Sequence, residues 1–129
     1  MPSFNIPSGI GRFLGFLRRK KSSQIDHELP FVAMMFTVMA ASGVTLYEGW
    51  KKLRSISLLP TIQKEAKDVV RQVEVLGYDT LTVMYRKAEE TRSRLYRDFL
   101  AGYVSAVKSG GNLVSFLNSK LRSIFEMRS

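Results

Sequence analysis

The sequence predicts an all-α fold: an antiparallel bundle of about six helices built as three helical hairpins, with an additional short amphipathic helix at the N-terminus. Three observations predict it. Apolar residues recur at spacings of three and four along most of the chain, and no stretch alternates apolar and polar for long enough to argue a strand. Glycines able to end a helix are each followed by a residue able to cap the next one. One phrase is also written twice, as SGVTLYEGWKKLRS at residues 42–55 and SGGNLVSFLNSKLRS at 109–123, with a looser copy, LGYDTLTVMYRKAEE, between them. Trp50, Met84 and Leu117 stand at the same seventh place beyond Gly43, Gly77 and Gly110.

The elements follow in order. Residues 1–8 hold two prolines and read as an irregular arm. GIGRFLGFLRRKK then places Ile10, Phe13, Leu14 and Leu17 at helical spacing ahead of Arg18, Arg19, Lys20 and Lys21, a short glycine-weakened amphipathic helix. SSQIDHE reads as a hinge or helix start, because Pro30 is tolerable only in a first turn. The chain therefore divides into a basic lead-in, 1–26, and a helical domain, 27–129.

The first domain helix is expected from about Glu28 to Ala41, ending at Gly43. The second opens with Thr45 and Glu48, a capping box, turns Leu46, Trp50, Leu53 and Ile56 inward, and stops before Pro60. The third repeats Ile62, Ala66, Val69, Val70, Val73 and Leu76 before Gly77. Asp79 caps the fourth, with Leu81, Met84, Tyr85 and Ala88 on its apolar face. Thr91 or Ser93 caps the fifth, which buries Leu95, Phe99, Leu100, Tyr103, Val104 and Val107. Gly110 and Gly111 end it, and Asn112 caps a sixth that packs through Leu113, Phe116, Leu117, Leu121 and Ile124. The repeated phrase is thus the joint of a helical hairpin, and short joints make antiparallel neighbours. The first and last joints are the closest copies.

A chain of 129 residues with 45% hydrophobic content makes one domain with a modest core. It has no Cys, which excludes disulfides and thiolate metal sites, and one His, His27, which excludes a histidine-rich centre. The formal charge of +9 points to an anionic partner: nucleic acid, an acidic protein face or a lipid surface. The longest apolar run, FVAMMFTVMAA at 31–41, falls short of the ~20 residues that span a bilayer. It reads as a buried bundle helix. The N-terminus has its cations after its apolar stretch, the reverse of a signal peptide.

Chemistry is hard to find. GIGRFLG follows no strand and lacks the lysine spacing of a phosphate loop. Glu89 and Glu90 are adjacent and point different ways, so they read as a solvated face. His27, between Asp26 and Glu28, reads as a surface residue at a helix start. No nucleophile elbow or triad is present, and neither a cofactor nor a metal is expected. A DNA-binding reading takes MAASGVTLYEGWKKLRS as a helix-turn-helix with Lys51, Lys52 and Arg54 on the recognition helix. It fails where Ser42, Gly49 and Lys52 stand at positions that should pack the two helices, so no nucleic acid is expected.

The stretches ELPFVAMMFTVMAASGVTLYEGWKKL, VEVLGYDTLTVMYRKAEET and RDFLAGYVSAVKSGGNLVSFL resemble the cytoplasmic domain of type II secretion F-type platform proteins, most of all the archaeal branch serving archaella and type IV pili. The motifs are Glu28-Leu29-Pro30 opening the first helix with a Ser-Gly joint after it, then Gly77-Tyr78-Asp79, then Ser109-Gly110-Gly111, and the likeness covers roughly residues 27–125. TRS stands at 91–93 where many archaeal members have TPS. The resemblance implies a non-enzymatic helical domain on the cytoplasmic side of an integral plasma-membrane protein, engaging a hexameric assembly ATPase and other platform subunits, a second copy of itself included. The family's membrane spans are absent from these residues, which implies an excised domain or a short form. Exposed cations on helices two, three and five are the candidate ATPase contacts: Lys51, Lys52, Arg54, Lys64, Lys67, Arg71, Arg94 and Arg97. The lead-in is the candidate membrane contact, with Phe13, Leu14 and Leu17 toward lipid and Arg18 to Lys21 at headgroups, as at the cytoplasmic flank of a membrane segment.

Overall fold

A computed structural model describes residues 8–128, and every regular element in it is a helix: α1 Ser8–Ala41, α2 Leu46–Leu53, α3 Pro60–Glu74, α4 Thr80–Glu90, α5 Arg94–Lys108 and α6 Leu113–Arg128. The helical bundle is the one the periodicity predicts. The irregular arm expected over residues 1–8 lies, apart from Ser8, outside the described residues.

The short lead-in helix and the hinge after it do not form as separate features. Residues 8–41 are one helix of 34 residues with Pro30 inside it, not in a first turn. Pro30 removes one helical hydrogen bond, at a cost of ~3 kcal/mol. On either side of it, however, Ile25, Leu29, Val32, Ala33 and Phe36 are all buried in the core. Packing of consecutive turns across the proline outweighs the local defect, as tertiary context does over propensity. His27 accordingly lies within α1 rather than at a helix start.

The three joints use their glycines as expected: Gly43, Gly77 and Gly110 have φ of 79°, 75° and 70°. No neighbouring atom lies within 4 Å of a Cβ built at any of the three, so the backbone conformation and not space demands glycine there. The two closest copies of the phrase close identically. Val44 N–H donates to Met39 O (2.9 Å) and Gly43 N–H to Ala40 O (3.2 Å), while Gly111 N–H donates to Ala106 O (3.1 Å) and Gly110 N–H to Val107 O (3.2 Å). Both are Schellman motifs. At the looser copy Tyr78 N–H reaches back to Gln72 O instead.

The caps follow. Thr45 Oγ1 accepts from Glu48 N–H, Asp79 Oδ2 from Leu81 and Thr82, Ser93 Oγ from Tyr96, and Asn112 Oδ1 from Ser115. Of the expected capping box only the Thr45 half is drawn, for Glu48 faces Lys51 at 4.0 Å. The α4–α5 link needs no proline, since the Ser93 hydroxyl starts α5 and donates to Asp26 of α1.

Each joint brings its two helices together, but the most extensive packing is α4 on α5 and α1 on α6. Phe36 of α1 sits at the centre, 5.3 Å from the Trp50 ring, 6.0 Å from Phe99 and 5.8 Å from Tyr103. Trp50, Phe99 and Leu117 are fully buried, as expected. Leu76, Tyr85 and Val107, expected inside, are exposed instead. α3 ends at Glu74, so Leu76 lies beyond the helix, and the buried face of α4 turns on Val83, Met84, Lys87 and Ala88. The buried face of α5 includes Tyr96 and stops at Val104, before Val107.

Two glycines act by absence. A Cβ at Gly49 would stand 3.0 Å from the Phe36 ring and 3.2 Å from Met39 Cε, and one at Gly102 would stand 2.7 Å from the Phe116 ring. α2 therefore packs on α1 at the very position that appeared empty in the helix-turn-helix reading. The knob comes from α1 and the hole from α2.

Candidate interaction surface

Among the described residues no group of His, Cys, Asp or Glu is arranged to hold a metal ion, and no helix is long and apolar enough to cross a membrane. What the bundle offers is charged surface. On α3, Lys64, Lys67 and Arg71 recur at helical spacing opposite buried Ile62, Ala66, Val69 and Val70, and all three are exposed. Arg71 spends part of its charge on Asp68, 2.7 Å away. On α2, Lys52 is exposed, whereas Lys51 is half-buried, 4.0 Å from Glu48 and 5.5 Å from the centre of the Tyr47 ring. Arg54 is half-buried, and its carbonyl accepts from Gln63 of α3. On α5, Arg94 and Arg97 are exposed, and Arg97 donates to Thr91 O at 2.8 Å.

The first turns of α1 carry the apolar candidates outward. Phe13, Leu14 and Leu17 are 59%, 40% and 41% exposed, beside the exposed cations Arg18, Arg19, Lys20 and Lys21. Ile10 and Phe16 are exposed as well.

Sequence reasoning missed the polar residues inside. Glu28 is buried, and its carboxylate accepts from Thr61 N–H (3.2 Å) and Ile62 N–H (2.9 Å). It caps α3 from another helix, where Leu59 offers no side-chain cap and Pro60 occupies the first position. A negative group at a helix N-terminus also meets the positive end of its dipole. The readable signal was a helix start with no capping residue of its own.

Lys87 is the second. It sits among Val83, Met84 and Ala88 on the buried face of α4, and its ammonium lies 2.9 Å from Asp68 and 3.4 Å from Glu65 of α3. Glu65 also takes Lys21 of α1, at 3.4 Å. Burial opposes the charge of Asp68, but hydrogen bonds from Arg71, Lys87 and Gln72 outweigh it and hold the carboxyl well below its usual range. Tyr96 of α5 lies fully buried beside this network. Burial first, then the charge of Glu65, pushes its phenol well above the ordinary value.

Lys21, Lys64, Glu65, Asp68 and Lys87 line one cleft of about 680 Å³, with Arg18 and Arg92 on its walls. Of the cations singled out on helices two, three and five, this cleft takes Lys64 alone. The others remain spread over α2, α3 and α5.

Comparison with known proteins adds an independent line. The family described as type II secretion system (T2SS), protein F, matches residues 32–129. The chain is also similar to the uncharacterized protein MJ1286 of Methanocaldococcus jannaschii, with 22% identity over 112 residues that cover 87% of this chain and 19% of that protein. The chain thus spans about a fifth of the length of the curated relative it matches. No solved structure matches it. The family match takes in every joint glycine, the starts of α2 to α6 and the caps Thr45, Asp79, Ser93 and Asn112, on the all-helical bundle described above; this chain belongs to the type II secretion system protein F family.

Proposed function

We propose that this domain is the cytoplasmic module of a membrane platform for archaellum or type IV pilus assembly, non-enzymatic itself, which docks a hexameric assembly ATPase and passes its motion to the filament. The observation that carries the reading is a protein F domain whose exposed faces on α2, α3 and α5 are rich in Lys and Arg. A motor that cycles must let go of its platform, and a polar, charge-steered contact releases more readily than a large apolar one. Other platform subunits, a second copy of this chain among them, are the further partners. The exposed apolar residues of the first turns of α1, followed by Arg18 to Lys21, support contact with anionic lipid, each cation near the surface contributing on the order of 1 kcal/mol.

Joint charge reversal, Lys51→Glu, Lys52→Glu and Arg54→Glu, is expected to weaken binding to the assembly ATPase at least about tenfold. The melting temperature should shift little, since surface pairs contribute ~0–1 kcal/mol. Duplex DNA binding, measured on the same preparations, separates the helix-turn-helix alternative. Strong, salt-steep DNA binding lost in the variant, without ATPase binding by the parent, overturns the platform reading.

A further inference from the structure

We propose that the cleft between α1, α3 and the α4–α5 link recognises a phosphate group, as carried by an anionic lipid headgroup at the root of the α1 arm. This deepens the membrane reading and rests on it for the source of the phosphate.

The cleft brings together Arg18, Lys21, Lys64, Lys87 and Arg92 against Glu65, Asp68 and Glu90. Its floor is already neutral. Lys87, only 7% exposed, stands between Asp68 and Glu65, and Glu65 shares its second contact with Lys21. Those carboxylates are committed to ammonium groups and leave the walls to decide the sign. On the walls Arg18, Lys64 and Arg92 are exposed, and among the described residues none of them is paired with a carboxylate, against the single exposed acid Glu90 of the cleft. An ammonium has three donors, and Lys87 has two acceptors, one of them at a long 3.4 Å. It retains donor capacity at the floor of an open cleft. Guanidinium forks suit tetrahedral oxyanions, which they bind through paired N–H groups.

The walls belong to separate elements: Arg18 to α1, Lys64 to α3 and Arg92 to the link after α4. Only the folded bundle makes the site. Arg18 stands one residue beyond Leu17, the last exposed apolar residue of the arm. An arm lying on a bilayer brings headgroup phosphates to the cleft mouth.

The test uses the full chain, vesicles of phosphatidylcholine with and without phosphatidylglycerol, and inorganic phosphate as a soluble probe. Lys64→Glu with Arg92→Glu lies outside the arm. Lys51→Glu with Lys52→Glu is a control of equal charge change. The cleft variant is expected to lose anionic-vesicle affinity about tenfold or more, and the control much less. Phe13→Ser, Leu14→Ser and Leu17→Ser together are expected to lose vesicle binding while keeping the response of Thr91 and Arg92 amide resonances to phosphate. Loss of vesicle binding in the cleft variant beyond the control assigns the phosphate to lipid. Loss of the inorganic-phosphate response alone assigns it to a soluble ligand. Equal losses in the cleft variant and the control, or none in either, overturn the site. If the serine variant binds vesicles like the parent, the arm reading fails and the cleft stands or falls on the phosphate response.

Discussion

Glu28 shows how one carboxylate can tie sequence to fold. Its position in the Glu-Leu-Pro motif is explained by the bare N-terminus of α3, which it caps through Thr61 and Ile62. Glu28→Ala leaves those two N–H groups unsatisfied near the core and is expected to cost about 1–3 kcal/mol in urea unfolding. An unchanged midpoint would mean that solvent replaces the carboxylate there. Asp68 makes a pH-dependent contribution. Its folded pKa is depressed, so its stabilisation is fully present above the unfolded value of about 3.9 and is lost as pH falls from there through the folded value. Asp68→Asn should therefore destabilise at pH 7, and its difference from the parent should shrink as the pH is lowered below about 4. Urea midpoints at pH 7 and pH 3 read this directly, and a constant difference would remove Asp68 from the acid limb.

At the scale of elements, the joints and the helix crossings use glycine for different reasons. Gly43→Val, Gly77→Val and Gly110→Val place a β-branched residue at positive φ and are each expected to cost about 1 kcal/mol or more. Gly111 is outside the positive-φ set, so Gly111→Ala should be close to neutral by the same thermal melts. Gly102→Ala acts through space instead: a methyl there stands 2.7 Å from the Phe116 ring, an overpacking cost of about 1–3 kcal/mol that is offset by about 1 kcal/mol of helix propensity. If valine at all three joints melts like the parent while Gly102→Ala does too, the helix ends and the α5–α6 contact are both misplaced. The length of α1 belongs to this scale as well. A polar stretch and a proline resemble a break when read one turn at a time, yet Ile25 and Leu29 are held in the core on the turn before Pro30.

Across the whole molecule, Phe36 is the residue through which the halves of the chain meet, with ring contacts to α2 and α5. Phe36→Ala should cost about 3–5 kcal/mol and lower the unfolding midpoint of the entire bundle in one transition. Trp50 fluorescence and far-ultraviolet circular dichroism should report that transition together. Separate midpoints for the two probes would show that α2 and the rest of the bundle unfold independently. The helical class, the joint glycines, the caps at Thr45, Asp79 and Asn112, and the burial of Trp50, Phe99 and Leu117 were legible along the chain, which left the cap of α5 open between Thr91 and Ser93. Each of these rests on interactions within a few residues or on periodicity along one helix, so it is written locally. Packing between distant segments is what carries α1 unbroken through Pro30, makes Gly49 a hole for Phe36, lets Glu28 cap α3 and turns Lys87 inward to Asp68 and Glu65. The cleft depends on the same kind of information: its charges lie far apart in sequence, and their balance exists only once separate helices have packed around them.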